Sequence, residues 1–426
     1  MAGPMDIRTL VGRVAPPPTA RHLRKSSTRL LSAALLAAAG LSACSDGVTA
    51  PIPEDTDVSV RWNTLARELV IIDRTAPPVA GRAYTYLSVA QYAAALSARG
   101  IRPDAIPSLA SLRDAHSPSR AAIATASAHV LSALFPSHGP RIERELGADI
   151  GALRGQSIDM AAIERAEAIG ARIAASLLDR AQHDGSDAIW TGTVPNGDGY
   201  WIGTAPQLPM WGHVRPWLWE SGSELRAPPP PAFTSQGFLD ALAEVREIGE
   251  TRTAAQMEIA RFWADGAGTY TPPGHWNEIA TTLIRERGMG DLQAARTLAL
   301  MNIAMADAAI GCWDSKFTYW VIRPWQADSR VTTPIGQPPH PSYPSGHACF
   351  SGAGAKVLAA VFPGEAENLD RMAVEACDSR VYAGIHYRFD AEAGMTIGIR
   401  AAERALERGD QLLQSEIARA YAGAIE

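Results

Sequence analysis

The chain has 426 residues, 46% of them hydrophobic and 20% charged, with a formal net charge of -6. That balance argues against a nucleic-acid-binding surface, and the length suits either two to three domains of about 150 residues or one large body. Positive charge is nearly all arginine, the lysines being Lys25, Lys316 and Lys356, so a lysine inside a suspected site stands out.

The chain opens as a targeting sequence over residues 1–44. Arg21, Arg24, Lys25 and Arg29 form a basic stretch, and Leu30 to Gly40 is an apolar run too short to span a bilayer. Leu41-Ser42-Ala43-Cys44 follows and resembles a bacterial lipobox, which makes Cys44 a lipidation candidate. A plain secretory signal cut nearby is the alternative. The segment predicts an exported protein, lipid-anchored in the bacterial cell envelope or secreted, and Ser45 rather than Asp after the cysteine points to sorting to an outer membrane where the cell has one. Residues 45–60 read as a polar tether. Cys312, Cys349 and Cys377 remain beyond it, and an odd count is no disulfide scaffold. Their spacing fits no zinc site, and small buried apolar side chains are the simpler reading.

Residues 61–234 are expected to form an N-terminal helical part with a long loop. Trp62, Leu65, Leu69 and Ile72 recur at helical spacing over Trp62–Asp73, and Tyr84–Ala98 repeats the pattern. Ser117-Pro118 opens a helix towards Phe135, and Asp159 starts another through Ile163, Ile169, Ile173 and Leu177. Trp190–Phe233 is dense in Pro, Gly and Trp, which suits a lid or pocket wall, or else a surface crossover. Residues 235–426 are expected to be a helical core carrying the site. Thr253 with Gln256 makes a capping box for a helix ending near Trp263. Asp265–Trp276 reads as a second loop, containing His275. Asp291 caps a long helix towards Val321, and helices follow over Ala348–Phe362, Leu369–Cys377 and Asp390–Leu412. No stretch alternates with period two, so the expected fold is all-α: a large helical bundle, or two packed four-helix bundles, with long Pro/Gly/Trp-rich loops.

Three segments carry the chemistry. Lys316 and Arg323 stand seven residues apart before Pro324; on one helix they would share a face roughly 10 Å apart along the axis. Two cations there need an anion between them, or else each reaches solvent separately. Pro338 to His347 reads Pro-Pro-His-Pro-Ser-Tyr-Pro-Ser-Gly-His. Its Ser345-Gly346 step at a helix start aims free N–H groups at one point, with His347 beside it to move a proton. Ser-Gly-His alone is weak, because helix N-caps often carry Ser and Gly. Finally, Ser379-Arg380 precedes His386 and Asp390, which at i and i+4 of a helix would let the carboxylate fix the imidazole tautomer; a purely structural pair is the alternative.

Together, Lys316 to Arg323-Pro324, Pro344-Ser345-Gly346-His347, and Ser379-Arg380 through His386 to Asp390 resemble the superfamily of type-two phosphatidic acid phosphatases and vanadium-dependent haloperoxidases. The resemblance implies a vanadate cofactor, with phosphate able to occupy the same site. Lys316, Arg323, Arg380, Ser345 and Gly346 would hold its equatorial oxygens, His386 would bind vanadium, His347 would act as acid and base, and Asp390 would orient His386. It also implies hydrogen peroxide, halide and a small organic acceptor as partners. His340 matches a second histidine of algal bromoperoxidases, favouring bromide over chloride, and Trp313 matches a tryptophan beside the halide region of the fungal chloroperoxidase. Asp265 resembles an aspartate paired with the second arginine of that site, here Arg380. The alternative within the superfamily is an exported acid phosphatase working through a phosphohistidine.

Overall fold

A computed structural model describes residues 58–100, 117–156 and 159–422. The targeting sequence, Cys44 and all but the last three residues of the expected tether lie outside the described residues. Among those described, every regular element is helical: α1 Val58–Ile72, α2 Pro77–Ala98, α3 Ser117–Leu134, α4 Gly139–Arg154, α5 Met160–Gln182, α6 Gln236–Thr251, α7 Ala254–Phe262, α8 Thr271–Glu286, α9 Asp291–Tyr319, α10 Pro324–Ala327, α11 Gly346–Val361, α12 Ala366–Tyr382 and α13 Arg388–Ala422. The all-α expectation holds.

Helix α9 organises the molecule. It is 29 residues long and buried on nearly every face from Asp291 to Lys316, as an all-round apolar helix must be. One side packs on α2, which belongs with α3 and α5; the other packs on α11 and α13, with α12 behind them. One continuous apolar core therefore runs through both halves of the chain. Helices α11 and α13 cross closely because glycines face each other. A Cβ on Gly394 would sit 2.5 Å from the Ser345 carbonyl oxygen, and one on Gly398 would sit 2.4 Å from that of Cys349.

Local chemistry explains several boundaries. Asp159 caps α5 by accepting from the Ala161 N–H at 3.0 Å, and Thr253 with Gln256 closes the capping box of α7. Helices α4, α6 and α8 were not anticipated. Pro272-Pro273 looked like loop, yet both lie in the first turn of α8, where a missing N–H costs nothing. The residue capping α9 is Gly290, with Asp291 inside the first turn.

Two expectations about the site helices need correction. Helix α9 stops at Tyr319, where Trp320 turns left-handed at φ 52. Arg323 is therefore extended backbone ahead of α10 and does not share a helix face with Lys316. His386 likewise precedes α13 and reaches Asp390 from outside the helix.

The Trp190–Phe233 segment is pinned along its length. Trp201 N–H donates to the Trp320 carbonyl at 2.7 Å and Gln207 N–H to that of Pro339 at 2.8 Å. Residues 199–207 thus form a wall beside the Trp320–Arg323 and Pro339–His340 segments. Further on, the buried Asp307 carboxylate accepts from the backbone N–H groups of Trp217 at 2.7 Å and Leu218 at 2.9 Å, fixing the loop across α9.

Candidate active site

The Pro-rich approach ends at Ser345, which caps α11 by accepting from the Ala348 N–H at 3.4 Å. Its own N–H donates to the Asp390 carbonyl at 2.9 Å, tying the start of α11 to the start of α13. Gly346 is the first residue of α11, over the Trp313 ring; a Cβ there would lie 3.4 Å from that ring. The positive end of α11 thus faces the junction of three chain segments.

Three fully buried cations surround this junction. Lys316 Nζ donates to the carbonyls of Pro341 at 2.9 Å, Ser342 at 2.8 Å and Pro344. Arg323 donates from Nε to the His340 carbonyl at 2.9 Å and from Nη1 to that of Ile385 at 2.6 Å. Arg380 donates from Nε to Ser379 Oγ at 2.9 Å and from Nη2 to the Ala260 carbonyl at 3.1 Å. Among the described residues none of the three makes an ion pair with a carboxylate. Burial lowers Lys316 to about 8 and both guanidinium groups to about 10. A buried charge without a direct partner costs several kcal/mol, so three such cations at one junction suit an anion-binding pocket.

Each guanidinium also touches an imidazole. His386 Nδ1 lies 2.8 Å from Asp390 Oδ2. A carboxylate only accepts, so Nδ1 carries the proton and Nε2 presents its lone pair. That Nε2 lies 3.1 Å from Arg323 Nη1. Burial, together with Arg323 and Lys316, holds the His386 pKa well below its usual value, which keeps the ring neutral. Asp390 is fully buried, and Oδ2 also accepts from Ser342 Oγ at 2.5 Å and the Tyr387 N–H at 3.1 Å. Burial raises its carboxyl to about 6 despite these donors.

His347 is half-buried on the first turn of α11. Its Nε2 lies 3.3 Å from Arg380 Nη1 and 3.3 Å from the Ala264 carbonyl. With a proton, Nε2 donates to Ala264; without one, it accepts from Arg380. A ring nitrogen satisfied in both states suits proton transfer. Burial and then Arg380 push its pKa down, with His275 adding to the effect.

The outlying candidates fall into two groups. His340 Nδ1 lies 3.1 Å from Arg323 Nη2, and its ring is 5.3 Å from that of Trp313. The Trp313 Nε1–H donates to the Gln207 carbonyl at 3.4 Å. Both residues therefore border the Arg323 side. Asp265 does not hydrogen-bond Arg380; its carboxylate meets His275 Nδ1 at 3.1 Å and acts on Arg380 only through its field. Sequence reasoning missed Ser342 as a partner of Asp390. The only available signal was a serine among prolines three residues before Ser345.

The donor set fits a tetrahedral oxyanion. It offers three buried cations that make no direct ion pair with a carboxylate, a serine at a helix N-terminus, and an imidazole lone pair whose tautomer is fixed. Lys316 is the one qualification: its three N–H groups are all taken by carbonyls, so it acts through charge unless one is released.

Known proteins resemble this chain both in sequence and in fold. The family model described as the PAP2 superfamily matches residues 297–406. Vanadium chloroperoxidase from Curvularia inaequalis is 32% identical over an alignment of 133 residues, which takes in 24% of this chain and 22% of that protein. The crystal structure of a bacterial vanadium-dependent iodoperoxidase superposes with a TM-score of 0.71 at 25% identity, covering 84% of this chain and 97% of its own. A bacterial vanadium-dependent chloroperoxidase shares the fold, with a TM-score of 0.62 at 15% identity over 81% of this chain and 94% of its own. The PAP2 match takes in Lys316, Arg323, Ser345, Gly346, His347, Arg380, His386 and Asp390, and over most of its length the chain is similar in fold to vanadium-dependent haloperoxidases.

Proposed function

We propose that this protein is a vanadate-dependent haloperoxidase that oxidises halide with hydrogen peroxide and thereby halogenates a small organic acceptor. The observation that carries this is His386, held neutral with its Nε2 lone pair turned to Arg323, within a cluster of three buried cations that make no direct ion pair with a carboxylate. Bound vanadate would supply a Lewis-acidic centre that activates peroxide towards halide.

The chain's own residues divide the remaining work. Arg323, Arg380 and the charge of Lys316, with Ser345 Oγ and the Gly346 N–H, would hold the negatively charged oxygens. His386 Nε2 would provide the ligand to vanadium, and Asp390 keeps its Nδ1–H in place. His347 moves a proton at Nε2, between Arg380 Nη1 and the Ala264 carbonyl. The preference for bromide over chloride rests on His340, which lies against Arg323 Nη2 and the Trp313 ring.

The test is a paired assay. The purified protein loaded with orthovanadate is expected to oxidise bromide in the presence of peroxide, faster than it oxidises chloride. Phosphate should compete with vanadate for the site. If vanadate only inhibits while a phosphate monoester is hydrolysed well, the protein is an acid phosphatase in which His386 attacks phosphorus. The cell-envelope location rests on the lipobox-like Leu41–Cys44 sequence. Cys44→Ala should release the protein from the membrane fraction, and unchanged fractionation would leave an ordinary export signal.

A further inference from the structure

Asp265 and His275 form a buried pair on the His347 side of the site, their side chains 5% and 6% exposed. The connection from Asp265 to the first residue of α8, which carries His275, is strained at both ends. Asp265 has φ +43 and Thr271 has φ +66, neither being glycine. Such residues each cost on the order of 1–3 kcal/mol and persist only where the surroundings hold them. What holds Asp265 is His275, whose Nδ1 lies 3.1 Å from Oδ2. His275 is itself clamped: its ring stacks on Trp263 at 4.4 Å, with Phe262 edge-on at 5.0 Å and Tyr270 at 5.5 Å. Trp263 is anchored in turn by its Nε1–H, which donates to Glu375 on α12 at 3.0 Å.

This small assembly leads directly to the reacting side chains. Ala264 immediately precedes the left-handed Asp265, and its carbonyl is the one that faces His347 Nε2. Four residues earlier in the same stretch, the Ala260 carbonyl receives Arg380 Nη2. Where the chain turns at Asp265 therefore decides where the Ala264 oxygen points.

We propose that His275 is a positioning residue for His347: by donating its Nδ1–H to Asp265 it locks the left-handed turn that aims the Ala264 carbonyl at His347 Nε2. The proposal rests on the reading of His347 as the group that moves the proton, and is independent of which reaction that proton serves. It differs from plain packing in which property of His275 matters. Phenylalanine keeps a flat ring against Trp263 and loses the donor; asparagine keeps a donor near the Nδ1 position and loses the stack.

The experiment compares His275→Phe, His275→Asn and Asp265→Asn in the full chain. Turnover is followed on bromide oxidation, or on phosphomonoester hydrolysis if that is what the wild-type protein performs. His275→Phe and Asp265→Asn should each lose about tenfold or more in turnover, and His275→Phe, which leaves the Asp265 charge beside Arg380 in place, should keep orthovanadate affinity within about twofold of wild type. His275→Asn should stay within about threefold. In the ligand-free protein, imidazole NMR should show the His347 titration displaced by about half a pH unit or more in His275→Phe and little in His275→Asn. Asp265→Asn keeps its shape and serves if His275→Phe does not fold. The NMR arm decides if neither reaction is found. Retained turnover in His275→Phe with loss in His275→Asn would make His275 a packing residue. An equal fall in oxyanion affinity and turnover in all three variants would also overturn the proposal.

Discussion

Lys316→Met separates charge from shape in the oxyanion cradle. In the folded protein, burial takes the ammonium from 10.5 to about 8, a penalty of about 3 kcal/mol on the charged form at ~1.4 kcal/mol per tenfold. Against this stand three carbonyl acceptors, of Pro341, Ser342 and Pro344, each of which costs about 1–3 kcal/mol if left without a donor. The variant should therefore be less stable by a few kcal/mol in urea. Its anion affinity carries the sharper expectation. A charge-assisted hydrogen bond is worth about 1.5–3 kcal/mol, and because every Lys316 proton already has an acceptor the effect should sit at the lower end, about tenfold at pH 7. The sign of the pH dependence follows from the lowered pKa. Below about 8 the free protein already holds the charge, so Lys316 contributes fully. Above it, binding must draw in a proton, and affinity falls by up to about tenfold for each pH increment of one. Calorimetric titration with orthovanadate or phosphate at pH 7, 8 and 9.5 tests this, since the ratio of wild type to variant cancels the anion's own ionisation. The ratio should shrink towards one at pH 9.5. A constant tenfold ratio would refute the lowered pKa, and a ratio of one at pH 7 would mean that Lys316 serves only its loop.

Three further substitutions probe the remaining roles. His386→Ala should abolish oxyanion binding, whereas His347→Ala should keep most of it and lose turnover by about 10²–10⁴-fold; equal binding losses would show the two roles misassigned. Asp390→Asn should lower turnover by about a hundredfold or more, because His386 loses its charged orienter. Folded Asp390 titrates at about 6 against 3.8 when free, so its contribution to stability is fullest below 3.8 and is lost as pH rises to 6. Urea midpoints should accordingly show a flatter profile for the variant between pH 4 and 6.5, with no stability loss at pH 7, and an unchanged profile would contradict the assignment. Gly394→Ala places a Cβ 2.5 Å from the Ser345 carbonyl oxygen and 2.9 Å from Ala348 Cβ. It should cost about 1–3 kcal/mol and reduce turnover by displacing the Ser345 cap; an unaltered melting temperature would mean that the crossing is not tight.

What was legible in the sequence was whatever local chemistry or motif spacing determines. Asp159, Thr253 and Gln256 declare their helix ends because a cap is a contact within four residues. Lys316, Arg323, Ser345, Gly346, His347, Arg380, His386 and Asp390 could be picked out together only because three separated segments resemble one family pattern. What escaped depends on tertiary contacts. The end of α9 at a left-handed Trp320 carries no glycine or asparagine to announce it, so Arg323 seemed to share a helix with Lys316. The start of α8 was hidden by Pro272-Pro273-Gly274, which reads as loop but also fits a first helical turn. The close approach of α13 to α11 through Gly394 and Gly398 cannot be inferred from two glycines inside a long helix.

The Asp265–His275 pairing shows why such misses gather at the site. A family resemblance linked Asp265 to Arg380, and the field of Asp265 does reach that guanidinium. The hydrogen bond goes elsewhere, because the left-handed turn at Asp265 sends its carboxylate towards α8 while leaving the Ala264 carbonyl for His347. A residue's charge acts over several ångströms, whereas its hydrogen bond depends on one backbone angle. Motif spacing can therefore place a charge near a site, and only the folded backbone decides which side chain that charge orients. The same distinction applies to Lys316, whose position in the motif predicts a cation at the anion site but not the three carbonyls that already hold its protons.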